Sequence, residues 1–217
     1  MRISEAPKAI GIIKREIKRF KTPYVTEVSW RGEPFKVLIS CILSLRTKDD
    51  ATRKASIALF KKADTPLKIS RLRVSTIERI IYPVGFYRKK ARTIKEICAV
   101  LFKHYDSTVP DSIDGLLRLN GVGRKTANLV VTMGYDRPGI CVDTHVHRIV
   151  NRWGLVKTNS PEETEFALRR RLNKRYWITL NNLLVTYGQN VCAPVSPFCG
   201  TCRVSVYCGK IGVKRSR

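Results

Sequence analysis

The chain has 217 residues, enough for one large domain or two small ones with a real core. Its 42 lysines and arginines against 17 acidic residues leave a formal charge of +25, and an excess of that size implies a polyanionic partner, because each phosphate neutralised by a basic side chain releases condensed counterions. Nucleic acid comes first as that partner and an anionic membrane surface second. No apolar run approaches the roughly 20 residues that cross a bilayer, and no signal-peptide core opens the chain, so the sequence reads as an intracellular protein with no membrane role.

In chain order the periodicity is helical nearly everywhere. Ile10, Ile13, Ile17 and Phe20 recur at steps of three and four between basic residues, which predicts an amphipathic helix over 5–20. Phe35, Leu38, Ile39, Ile42 and Leu43 mark a second, and Ala91, Ile94, Cys98 and Leu101 another with a basic outer face; Cys41 and Cys98 read as small core fillers. In the segment 112–134, SIDGLLRLNGVGRKTANLVVTMG, a short helix carrying Leu116, Leu117 and Leu119 is followed by a tight turn, Gly121-Val122-Gly123. A second helix then runs from about Arg124 to Met133 and ends at Gly134. Val146, Ile149, Val150 and Trp153 mark the next face. Ser160-Pro161-Glu162-Glu163 has the form of a capping box with proline at the first helical position. Leu180, Leu183, Leu184 and Tyr187 form a last stripe, stopped by Gly188. No alternating strand pattern, internal repeat or long linker interrupts this series, so the fold class is all-α.

The turn Gly121-Val122-Gly123 carries the first functional signal. Two glycines around one apolar residue permit positive φ and close backbone approach, and the amides that open the following helix favour a phosphate. Arg124 and Lys125 follow at once. This is a helix-hairpin-helix arrangement, which holds the DNA backbone without reading sequence. The plain alternative is a tight connection between two packed helices, but in a chain this basic the charge and the motif point the same way.

Two residues have the right chemistry for catalysis. Asp143 precedes the stripe that begins at Val146, so it sits at an N-cap. Capping is a common role for aspartate, and it also keeps the side chain anionic, as an electrostatic catalyst must be. Lys125 lies in the first turn of its helix, where a neighbouring dipole, other basic groups and partial desolvation favour the free amine. Such an amine can attack a sugar C1′ as the base departs and form a Schiff base, with a carboxylate to take its proton and offset the cationic sugar. A solvated lysine or a phosphate contact is the simpler alternative for Lys125.

Of seven cysteines, four crowd into Cys192, Cys199, Cys202 and Cys208 with the spacing Cys-x6-Cys-x2-Cys-x5-Cys. Four thiolates so close repel unless a metal holds them. A structural zinc site usually presents two short Cys pairs, whereas only one pair here is short. Uneven gaps suit a [4Fe–4S] cube.

LNGVGRKTANLVV followed by VDTHVHRIVNR resembles the endonuclease III family of base-excision glycosylases in the helix-hairpin-helix superfamily, and the similarity runs from LISCILSLRTKDD at Leu38 to the cysteines. The resemblance implies a lobe of residues 25–137 and a second lobe from 1–24 and 138–217, with an active-site cleft between them. It makes Lys125 the Schiff-base nucleophile and Asp143 its partner. It makes the four cysteines ligands of a [4Fe–4S] cluster whose loop presents Arg203 and Lys210 to phosphates. A lysine at this position implies a bifunctional glycosylase and apurinic/apyrimidinic lyase acting on double-stranded DNA with a damaged base, expected to be an oxidised pyrimidine, or an abasic site. The enzyme is expected to act as a monomer.

Base extrusion demands side chains that fill the vacated stack. The resemblance puts these at SLRTKDD, where Arg46 replaces the glutamine of many relatives, and at Gly85-Phe86-Tyr87, where Phe86 takes the place of an apolar wedge. Arg46 as a phosphate contact and Phe86 as core are the alternatives. Ser44, Asp49 and His145 match positions near the pocket, and Asn120 replaces a proline often found before the hairpin. Three rival functions are a metal-dependent nuclease, a non-catalytic DNA-binding module with a structural metal, and a monofunctional mismatch or uracil glycosylase. The first needs several converging carboxylates, and the acidic residues instead cluster at helix starts such as Glu162-Glu163 and Asp49-Asp50.

Overall fold

In a computed structural model describing residues 1–30 and 32–217, every regular element is helical and no strand occurs among the described residues. Two compact units emerge, one from Met1–Thr22 with Pro138–Arg217 and the other from Pro23–Arg137. The first helix, α1 (Ala6–Glu16), tightens into a 3-10 turn, Ile17–Arg19, and belongs to the first unit.

The Pro23–Arg137 unit holds α2 (Tyr24–Ser29), α3 (Pro34–Ser44), α4 (Asp49–Lys62), α5 (Pro66–Ser70), α6 (Val74–Ile81), α7 (Tyr87–His104), α8 (Ile113–Leu117) and α9 (Arg124–Leu129). Every residue of α3 from Val37 to Leu43 is buried. A helix buried all round belongs at the centre of its unit, and α2, α4, α7 and α9 pack around it. On α7, Ala91, Ile94, Ile97, Cys98 and Leu101 face inward while Arg88, Lys89 and Arg92 are exposed. Burial pushes the Cys41 and Cys98 thiols up to about 12, as befits inert core fillers. The α-helical run predicted from Arg124 to Met133 instead widens after Leu129 into a π turn, Val130–Gly134. There the Thr132 hydroxyl donates to the Asn128 carbonyl at 2.7 Å and competes for an acceptor of the α ladder.

In the other unit α1 meets α10 (Thr144–Trp153), α11 (Pro161–Arg171) and α12 (Trp177–Asn190) around a core that includes Ile10, Ile13, Val146, Val150, Trp153, Leu168, Leu184 and Tyr187. Ser160 caps α11 by accepting the Glu163 N–H at 3.1 Å. The Glu163 carboxylate accepts from the Asn159 N–H at 3.0 Å, one residue before the reciprocal bond that a capping box makes. Gly188 does not stop its helix, which continues to Asn190. A Cβ there would lie 2.6 Å from His145 Nδ1 and 2.9 Å from Arg148 Nη2, so the glycine serves the close approach of α10. Among the described residues no helix is long and apolar enough to cross a membrane.

Candidate active site

The hairpin joins α8 to α9. Ser112 caps α8 through the Gly115 N–H at 3.2 Å, and the Val122 N–H closes the turn onto the Leu119 carbonyl at 3.0 Å. Val122 is buried, which anchors the turn as its apolar character predicts. The flanking glycines have different reasons to be glycine. Gly121 adopts φ +82°, and a Cβ on it would come within 2.5 Å of Thr93 Cγ2 on α7. Gly123 is extended, caps α9, and has open space where a Cβ would stand.

Arg124 and Lys125 are the first two residues of α9, and Lys125 is exposed. Its charge is felt at the buried Cys41 thiol of α3, opposing the effect of burial there. Asn120 donates to Glu96 at 3.2 Å at the exposed entrance to the turn.

Arg46 and Phe86 stand on two loops of the same unit, after α3 and before α7. Both residues adopt left-handed backbone, with φ 50° and 58°, an uncommon conformation for side chains of this bulk. Both are exposed, Phe86 at 62%, and the Arg46 guanidinium lies 5.7 Å from the Phe86 ring centroid. Phe86 is therefore not core packing. Ser44 donates its hydroxyl proton to the Cys41 carbonyl at 2.7 Å, and Asp49 accepts the Tyr24 N–H at 2.9 Å, which ties α4 to the start of α2.

In the other unit Asp143 is the N-cap of α10. One carboxylate oxygen accepts from the His145 and Val146 amides, each at 2.9 Å, and the residue is only 7% exposed. His145 is half-buried, and the Arg148 guanidinium donates to its Nδ1 at 3.1 Å, which leaves the proton of the neutral ring on Nε2. His147 bonds Thr164 at 2.7 Å within its own unit, and His104 is exposed at the end of α7.

Cys192, Cys199, Cys202 and Cys208 line one cavity together with Arg152, Trp153, Tyr187 and Lys210. Arg152 donates to Cys192 Sγ at 3.4 Å and to the Ala193 and Pro194 carbonyls at 2.7 and 2.6 Å. Arg148 donates to the Cys192 carbonyl at 2.8 Å, and Tyr187 Oη lies 3.1 Å from Cys202 Sγ. Burial pushes the Cys202 and Cys208 thiols up. Arg152 and the Lys210 N–H, which donates to Cys208 Sγ at 3.4 Å, are donors suited to sulfur that carries negative charge, while Cys208 Sγ also faces the Arg152 carbonyl at 3.6 Å. Among the described residues no three His, Cys, Asp or Glu side chains converge as they must on one metal ion. All four cysteines line that one cavity, so four sulfur donors are available there to a metal group. Arg203 and Lys210 are both exposed on this loop.

Lys90, Thr47, Arg148 and Arg152 stand outside the sequence candidates, although all four hold these segments in place. Lys90 has a sequence signal, since it falls on the stripe of Ala91, Ile94, Ile97 and Leu101, where a lysine is buried and needs acceptors.

The chain matches the family model described as HhH-GPD superfamily base excision DNA repair protein over residues 39–174. Endonuclease III of Thermotoga maritima is 46% identical over 176 residues, which cover 81% of this chain and 83% of that protein. A non-covalent endonuclease III–DNA complex superposes with a TM-score of 0.85 at 30% identity, covering 97% of this chain and 96% of the other. A trapped endonuclease III–DNA covalent intermediate superposes at 0.84 with 29% identity, covering 97% of each chain. With its hairpin, its lysine after the turn and its capping aspartate, this chain belongs to the endonuclease III family, within the HhH-GPD superfamily of base excision DNA repair proteins.

Proposed function

We infer that the protein is a bifunctional DNA glycosylase and apurinic/apyrimidinic lyase that removes oxidised pyrimidines from double-stranded DNA, acting as a monomer where the cell keeps its DNA. The seat of Lys125 carries this reading: an exposed amine in the first turn of the helix that the hairpin opens. In the proposed chemistry the Lys125 amine bonds to the sugar C1′ as the C1′–N bond breaks, and the base leaves with the electron pair and takes a proton from water. Asp143 takes the ammonium proton and offsets positive charge on the sugar. Asp143 then returns that proton to the ring oxygen as the C1′–O4′ bond breaks, and the opened sugar is left as a protonated imine of Lys125 that acidifies C2′. Loss of that proton expels the 3′ oxygen with its phosphate, and water releases the lysine. Gly121, Val122, Gly123 and Arg124 hold phosphate, Arg46 and Phe86 fill the vacated stack, and Ser44 and His145 complete the DNA-facing set.

Cys192, Cys199, Cys202 and Cys208 would hold a [4Fe–4S] cluster. Such a cluster would supply four covalent tethers that hold the loop bearing Arg203 and Lys210.

Borohydride trapping tests the reading. The protein should be reduced onto an abasic duplex, strand cutting should persist in chelator, and Lys125→Ala should abolish the adduct while duplex binding largely survives. A wild-type rate of adduct formation by Lys125→Ala would assign the nucleophile elsewhere.

A further inference from the structure

Lys90 is 6% exposed on α7, one helical turn beyond Phe86, and its backbone N–H donates to the Phe86 carbonyl at 3.0 Å. Its ammonium donates to the Leu43 carbonyl at 2.7 Å, the Leu45 carbonyl at 2.6 Å and the Thr47 hydroxyl at 2.8 Å. Three donors thus meet three uncharged oxygens, all on the segment that carries Arg46. The Thr47 hydroxyl passes the connection on: it accepts the Gly85 N–H at 3.1 Å and donates to the Leu45 carbonyl at 3.2 Å. A Cβ at Gly85 would lie 2.5 Å from the Arg46 carbonyl oxygen, so the two loops touch backbone to backbone. Above this knot stand two residues with left-handed backbone whose side chains stack in solvent. Such conformations persist only where the surroundings over-determine them.

We infer that Lys90 is a positioning residue whose ammonium binds the Arg46 loop to the Phe86 loop, so that both side chains enter the duplex as one wedge. This rests on the reading that Arg46 and Phe86 fill the space left by an extruded base. Burial lowers the lysine to about 8, so at neutral pH it remains an ammonium with all three donors in use.

The test compares two substrates. One is a duplex with a single oxidised pyrimidine, which demands extrusion and gap filling. The other is a single-stranded abasic site, which demands neither. Lys90→Met keeps the length and apolar stem but removes the donors. It should slow single-turnover excision from the duplex by about tenfold to a hundredfold, the scale expected when reacting groups are misplaced by an ångström, and leave single-strand borohydride trapping within about threefold. A 2-aminopurine base opposite an abasic analogue should lose most of the fluorescence change that accompanies unstacking. Thr47→Val removes one of the three acceptors of the ammonium together with the Gly85 bond but keeps the cation, and should act the same way, more weakly, while Thr47→Ser restores the wild-type ratio. If Lys90→Met does not fold, the Thr47 pair decides. Equal slowing on both substrates, or a wild-type ratio in Thr47→Val, overturns the inference. Failure of the wild type to trap an abasic duplex instead defeats the catalytic reading, and this inference with it.

Discussion

Replacing Asp143 separates its role as a cap from its role as a charge. One of its oxygens accepts two backbone amides at 2.9 Å in a nearly closed environment. Asparagine keeps an oxygen at that position, and it is among the best N-cap residues, so Asp143→Asn should cost less than about 1 kcal/mol. Alanine removes the acceptor and leaves a buried Val146 N–H without its partner, a loss of about 1–3 kcal/mol. For a chain of this length each kcal/mol is worth about 2–4 °C in Tm. Activity should follow the opposite logic. Both variants lose the carboxylate, and single-turnover excision should fall by about 100- to 1,000-fold in each, the usual cost of removing one preorganised group that meets developing charge. The assay pairs thermal melts with excision of one oxidised pyrimidine from a duplex. An asparagine variant with wild-type excision, or one whose loss of rate merely tracks a loss of stability, would refute the assignment and leave Asp143 as a cap alone.

The two hairpin glycines should respond differently to alanine. Gly121→Ala meets both a positive φ and Thr93, and should destabilise the protein by more than about 1 kcal/mol in urea melts. Gly123→Ala has room and an ordinary φ, so it should fold within about 1 kcal/mol of wild type yet bind undamaged duplex less tightly, and wild-type affinity would remove Gly123 from the DNA-facing set. Protein purified without air should be brown and carry about four irons per chain, as a four-cysteine cubane requires. Stoichiometric zinc without iron would overturn that assignment.

What could be read in the sequence had a short range. The Gly121-Val122-Gly123 turn, the Asp143 cap and the Cys199–Cys202 pair lie within a few residues of what they act on, so local spacing reports them. The helix at 34–44 is legible as apolar, but its burial on every side follows from the neighbours it collects. Gly188 shows the limit. After a stripe of leucines a glycine looks like a stop, yet the constraint comes from His145 and Arg148, 43 and 40 positions earlier in the chain. Lys90 escapes notice for a related reason. It stands in the run Arg88-Lys89-Lys90-Ala91-Arg92, where composition suggests a solvated basic face. Helical phase turns only Lys90 and Ala91 inward, and the acceptors lie at the end of α3 and on the loop after it, 43 to 47 residues away.

The basic excess therefore has two kinds of member. Cations such as Arg88, Lys89, Arg203 and Lys210 are exposed, and a phosphate contact by any one of them would contribute modestly and in a salt-dependent way. Lys90, Arg148 and Arg152 are turned inward, where carbonyl and sulfur acceptors replace the water they lost. On α10 this arrangement has a mechanical consequence. Its first turn is held by the Asp143 carboxylate, its middle grips the Cys192–Pro194 segment through Arg148 and Arg152, and its last carbonyls, of Arg152 and Trp153, accept the Ile211 and Gly209 amides at 3.0 and 3.3 Å. One short helix thus carries the proposed catalytic carboxylate at one end and both edges of the cysteine loop along the rest. A loosened loop would deprive that helix of buried acceptors near its C-terminal end, so the cysteines can matter to the carboxylate without any redox step.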